Sequence, residues 1–208
     1  MTSALTQLLD RARGPLGPRV EVDLGTESGP LKELGDVLSQ LNGFFAYNAG
    51  LQVFHAGPEG LGPDLVTWND SETWKATYGG LADQSFCFAQ DVLGTQHAIV
   101  GGDRILRFDP ETAHSTVIGS SLEDWAAWVQ DDPAVNATAG LALEWQRQNG
   151  ALEPNERLIP LQFFVAGGGY EFDNLVVRDG AAAMRVRGPV AQQIKDLPDG
   201  AHIRLHFD

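Results

Sequence analysis

Residues Gln84–Asp132, QSFCFAQDVLGTQHAIVGGDRILRFDPETAHSTVIGSSLEDWAAWVQDD, decide the fold. Phe86, Phe88, Ile99, Ile105 and Phe108 sit in short aromatic and β-branched runs. Those runs are separated by Asp91–Gly94, Gly101-Gly102-Asp103 and Asp109-Pro110-Glu111, the composition of tight turns. The pattern predicts four strands in meander order over about 85–91, 95–100, 104–108 and 115–119. The period then changes. Ser121-Leu-Glu-Asp124 has the form of a helix start, and Leu122, Trp125, Ala126 and Val129 follow at helical spacing. A Trp-bearing helix directly after an antiparallel sheet is the nearest cover for its apolar face.

Outward from this nucleus, Leu5, Leu8, Leu9 and Ala12 predict a short helix in 2–13, ended by Gly14–Pro18. Val20, Val22 and Leu24 alternate with acids as an extended arm, and Leu31–Leu41 carries leucines at helical spacing, stopped by Asn42-Gly43. Phe44–Tyr47 and Leu51–Phe54 read as extended segments. Leu65–Tyr78 reads as a helix that breaks near Asn69–Ser71. A further helix is expected from Asp132-Pro133 to about Gln148, with Gly140 its weak point. The remaining block has strands at Leu158–Leu161, Phe163–Val165 and Leu175–Val177, a short helix beginning at Gly188-Pro189, and a last strand over 201–207. The fold class expected is α+β: a curved antiparallel sheet of about four to six strands covered by helices on one side. Residues 1–150 would form this domain and 155–208 a smaller, β-rich C-terminal extension.

The chain carries 14 basic and 28 acidic residues, a net charge of −14. The surplus is uneven. Asp64–Asp132 holds 12 acids against Lys75, Arg104 and Arg107, whereas the chain from Trp145 onward is almost neutral. Such a surface repels a phosphate backbone, which argues against nucleic acid as partner, and it speeds association with a cationic protein. No apolar run approaches the roughly 20 residues that span a bilayer, and residues 1–13 lack the charge order of a secretory signal. With a single cysteine there is no disulfide framework, so a cytoplasmic location is expected and no membrane association.

Residues that might carry chemistry mostly have plainer readings. His202 and His206 are four apart, but the sequence between them alternates as a strand and no third ligand is near, so no metal site is expected. Gly167-Gly168-Gly169 lacks the following Lys-Ser/Thr of a phosphate cradle. Cys87, between two phenylalanines, reads as a buried thiol. Asp91, Asp103 and Asp109 occupy turns, where Asp bonds the local backbone. No catalytic residue and no cofactor is expected.

The order and spacing of several segments resemble the SUKH superfamily. They are Asn42-Gly43-Phe44, the strand Leu51–Phe54, the Trp-bearing helix at 64–78, Phe86–Asp91 with Gly94 and Gln96, Asp109–Thr112, and Ile118–Trp125. The resemblance covers Leu31–Asp132, about half the chain; the block from Leu158 onward is not part of the compact family core. Its bacterial members are mostly immunity proteins of contact-dependent and polymorphic toxin systems, and its fungal members regulate cell-wall synthesis. The resemblance implies a non-enzymatic α+β domain that clamps a toxin. Together with the acidic stretch it gives the expected function, an immunity protein that binds a cognate toxin with a basic surface. The expected contacts are Asp70, Glu72, Asp83, Asp103 and Glu111, with Trp68 or Trp74 as aromatic anchors. The alternative is a regulatory or scaffolding module in secretion or envelope synthesis, using Arg178, Arg185 and Arg187. A third reading, a hydrolase, requires a pocket holding a cluster of titration-shifted groups.

Overall fold

The structure is a computed structural model and describes residues 2–198, 200, 201 and 205. The expected last strand and the His202/His206 pair depend on residues outside that set. Helix α1 (Ala4–Asp10) starts where Ser3 Oγ accepts from Thr6 N at 3.1 Å. Helix α2 (Gly29–Gln40) follows Ser28, has Pro30 in its first turn and buries Leu34 and Leu38. Residues 20–24 form no strand. Strands β1 (Phe44–Ala46) and β2 (Leu51–Val53) pair across a turn in which Tyr47, Asn48 and Ala49 all have positive φ. The expected helix at 65–78 is broken, as its polar middle suggested. Asp64 Oδ1 caps α3 (Leu65–Asn69), and a 3-10 turn over Lys75–Tyr78 follows.

Strands β3 (Phe86–Asp91), β4 (Gln96–Val100), β5 (Arg104–Phe108) and β6 (Ser115–Gly119) form the meander expected from the turn residues. All six strands make one antiparallel sheet in sequence order. Ser121 Oγ accepts from Asp124 N at 3.0 Å and starts α4 (Leu122–Asp131), the cap expected from Ser-x-x-acid. Adjacent strand residues point to opposite faces, and their contacts show what covers each. His97 accepts a 2.8 Å hydrogen bond from Trp125 Nε1 of α4, whereas Gln96 accepts a 2.7 Å bond from Trp68 Nε1 of α3. Helices therefore lie on both faces rather than on one side as expected, with α4 on one and α3 with the 3-10 turn on the other, because adjacent His97 and Gln96 each hydrogen-bond a tryptophan of a different helix.

The expected helix at 132–148 divides into α5 (Pro133–Asn136) and α6 (Ala139–Asn149). The break falls at Thr138 (φ 46°) rather than Gly140, because Thr138 Oγ1 bonds Gly50 O at 3.1 Å. Strands β7 (Glu156–Pro160) and β8 (Leu175–Asp179) form a separate two-stranded sheet, tied to the first by Leu158 N donating to Val92 O at 2.9 Å. The strand expected over Phe163–Val165 is instead a 3-10 turn, Phe164–Ala166. Helix α7 (Gly180–Ile194) starts eight residues before the expected Gly188, capped by Asp179 Oδ1 on Ala182 N at 2.9 Å. Its Met184 and Ala191 belong to the same apolar core as Trp74, Tyr78, Phe88 and Trp125. Among the described residues no helix is long and apolar enough to cross a membrane.

Candidate functional site

Two regions at opposite ends of the large sheet carry charge. The pairings Phe86↔Ile99, Val100↔Arg104 and Ile105↔Gly119 bring the start of β3, the β4–β5 turn and the end of β6 to one end. Exposed Asp83 precedes β3 and exposed Asp103 lies in the β4–β5 turn. Asp70 and Glu72 follow α3, whose Asn69 is hydrogen-bonded to both Cys87 N and Cys87 O at the start of β3. These four expected residues thus lie in loops at the same end. Glu123 and Asp124, at the start of α4, add to them. Glu123 accepts from Leu5 N and Ala4 N, and Asp124 from Ser120 N; these backbone bonds hold both carboxyls below the usual range.

The bases nearby offset this field only in part. Lys75 is buried, and its Nζ donates inward to Ser85 O at 2.6 Å and Asn69 Oδ1 at 2.9 Å; burial pushes its pKa down. Arg104 Nε is 3.6 Å from Asp103 in an exposed pair, which contributes at most about 1 kcal/mol.

Three expected contacts are not at the surface. Trp68 and Trp74 are 2% and 0% exposed. Trp74 Nε1 donates to Trp68 O at 2.8 Å, and its ring meets Tyr78 edge-on at 5.3 Å. A helical segment pressed against a sheet turns its largest apolar groups inward, so both rings form core and neither can anchor a partner. Glu111 is 3% exposed and lies at the opposite end of the sheet, beyond β5. Arg187, assigned to a partner surface in the alternative reading, is 1% exposed; Arg178 and Arg185 are exposed.

Glu111 and Arg187 line a cavity of about 430 Å³ at that opposite end, enclosed by α5, α6, the loop after β5 and the 164–170 segment. Glu111 Oε2 accepts from Val165 N at 3.0 Å, but Oε1 has no hydrogen-bond partner. Arg187 Nε lies 3.9 Å from that oxygen, a charge pair too long for a hydrogen bond, and Nε and Nη1 are both unpartnered. Burial raises the Glu111 pKa against the pull of Arg187, and burial lowers that of Arg187. Asp91 is likewise raised by burial, although its Oδ1 accepts from Leu93 N and Thr95 N at 2.9 Å. Burial pushes Arg157 down to about 9 against the pull of the Asp91 charge. A pocket with shifted carboxyls is the feature the hydrolase reading asked for. The described residues that line it, however, include no serine, cysteine or histidine to act as nucleophile or imidazole base.

Nothing local in the sequence marks this cavity. Asp109-Pro110-Glu111 has the composition of a turn and is one: Asp109 Oδ1 accepts from Glu111 N at 2.8 Å and Thr112 N at 3.2 Å. Among the described residues no group of three or more His, Cys, Asp or Glu is placed to hold a metal ion. Cys87 is fully buried, and burial raises its thiol to about 12.

No protein-family model matches the chain, and no curated protein does. Among solved structures it is similar to the crystal structure of Atu4351 from Agrobacterium tumefaciens, with 10% identity, a TM-score of 0.51, and 86% of each chain covered. At that identity the likeness concerns the fold alone.

Proposed function

We propose that this protein acts by binding another protein, as an immunity protein that neutralises a cognate cationic toxin through the acidic end of its sheet. The observation that carries the reading is the set of exposed carboxylates Asp70, Glu72, Asp83 and Asp103, gathered from separate loops, beside a lysine whose charge is turned inward. Such a surface accelerates encounter with a basic partner and repels acidic ones. The resemblance of 31–132 to the SUKH superfamily supports the same assignment, since its bacterial members are mostly toxin immunity proteins.

The test is association kinetics with proteins encoded beside the gene, comparing the native chain with the quadruple variant D70K/E72K/D83K/D103K. A toxin that binds the native chain and loses association rate with the variant supports the reading. A neighbour of envelope synthesis that binds through Arg178 and Arg185 instead would establish the scaffolding alternative.

A further inference from the structure

The two edges of the large sheet are treated differently. At the β1 edge Arg13 N donates to Phe45 O at 2.7 Å and Phe45 N donates to Arg13 O at 2.9 Å, so the chain before Gly14 occupies the outer side of that strand. At the opposite edge β6 pairs with β5 alone. Among the described residues no main-chain group of another segment hydrogen-bonds the backbone of 115–119. Along an antiparallel edge strand, successive residues turn their backbone groups alternately to the neighbouring strand and away from it. Asp109 N donates to His114 O at 2.9 Å, so Thr116 faces β5 while Ser115 and Val117 present N–H and C=O outward. Edge strands are normally blunted by lysine, proline or a covering segment. Ser-Thr-Val-Ile-Gly has no charge and no proline, and Ser115, Thr116 and Val117 are all exposed. The bulge opposite Ile105 and Leu106 comes after these three and leaves them in regular register. Val117, 60% exposed, lies opposite half-buried Leu106, an apolar rung with room for a further apolar side chain beside it. Past the bulge the surroundings turn acidic. Gly119 lies against Asp124, whose Cβ is 2.3 Å from where a Gly119 Cβ would stand. Exposed Glu123 and Asp103 are at the same end, with Arg104 as the base among them.

We propose that β6 receives an extended segment of the cationic partner as a seventh strand of the sheet. The partner's main chain bonds Ser115 and Val117, one apolar side chain of it covers the Leu106–Val117 rung, and its lysines or arginines reach Asp103, Glu123 and Asp124. A second copy of this chain fits the edge less well, since it would bring a net charge of −14 against −14. The inference rests on the protein-binding reading and adds to it the place where the partner's backbone is seated.

The test is amide hydrogen exchange, read by NMR, of the full chain free and bound to the basic toxin encoded beside the gene. In the free chain the Ser115 and Val117 amides should exchange faster than that of Thr116, and in the complex both should slow by at least ten-fold. V117P supplies a second arm, because it removes an outward N–H and no bond to β5. It should keep the parent's association rate and dissociate at least ten-fold faster. Should V117P fail to fold, the exchange measurement on the native chain decides alone. A complex in which Ser115 and Val117 exchange as in the free chain overturns this inference and leaves the protein-binding reading standing, as does an unchanged dissociation rate for folded V117P. Binding to no basic neighbour overturns both. A native dimer in sedimentation that V117P converts to monomer would give the edge to a second copy and overturn the inference as well.

Discussion

Replacing Gly188 by alanine tests how α7 is seated on the rest of the fold. A Cβ at this position would lie 2.4 Å from Thr77 Oγ1, 2.5 Å from Thr77 O and 2.7 Å from the Thr77 carbonyl carbon. Ordinary carbon–oxygen contact is near 3.4 Å, so α7 or the 3-10 turn must retreat by about 1 Å. Two effects oppose each other. Alanine in place of a helix-interior glycine stabilises by about 1 kcal/mol. Overpacking against a backbone atom costs about 1–3 kcal/mol, and the retreat also strains the 2.7 Å bond from Gln192 Nε2 to Thr77 O. The steric effect wins because the obstacle is main chain and cannot rotate away. With three Thr77 atoms under 3 Å the cost falls toward the upper end of that range, and net destabilisation of up to about 2 kcal/mol is expected, read as a lower urea midpoint at unchanged m-value. Gly140 in α6 is the control: nothing lies within 4 Å of its Cβ position, so G140A should stabilise by about 0.5–1 kcal/mol. If G188A proves as stable as the parent, α7 does not approach Thr77 as described and the reasoning fails.

Two other expectations follow from buried groups. Cys87, enclosed and raised to about 12, should resist a thiol reagent in the native state and react fully in denaturant; stoichiometric native labelling would contradict its placement. His97 is held neutral, since burial and then the charge of Arg107 push its pKa down to about 3. The unfolded chain takes up that proton near pH 6.5 and the native chain does not. The stability His97 contributes is therefore present above about pH 6.5 and declines as the pH falls toward 3, by up to about 1.4 kcal/mol per pH unit. The stability difference between parent and H97Q should change with that slope between pH 6 and 4, and parallel curves would refute it.

The sheet was legible because its signals are local. Each turn of the 84–119 meander announces itself by Gly, Asp or Pro, and Ser121–Asp124 by its capping chemistry. Helix α7 was misread for the converse reason. Gly180-Ala-Ala-Ala offers no strong apolar stripe, and Gly188-Pro189, which reads as a helix start, sits inside a helix whose close approach to Thr77 requires the glycine. The break at Thr138 was hidden because it is set by a bond to Gly50, far away in sequence. The acidic end was half legible. Asp70, Glu72, Asp83 and Asp103 lie together in loops at one end, but Asp91, Asp109 and Glu111 of the same acidic stretch lie at the other, and that division, like the burial of Trp68, Trp74 and Glu111, depends on tertiary packing that spacing does not encode. The Glu111–Arg187 cavity is wholly tertiary, assembled from β5's following loop and α7.

The proposed function is recognition of a basic partner through the acidic end of the sheet. The most direct measurement is the association rate constant with a basic toxin encoded beside the gene, taken at 0.05 and 0.5 M salt for the native chain and for D70K/E72K/D83K/D103K. Steering by these carboxylates predicts a rate that falls by about ten-fold or more on adding salt, and a variant that is slow at both concentrations. A rate indifferent to both salt and charge reversal would contradict it.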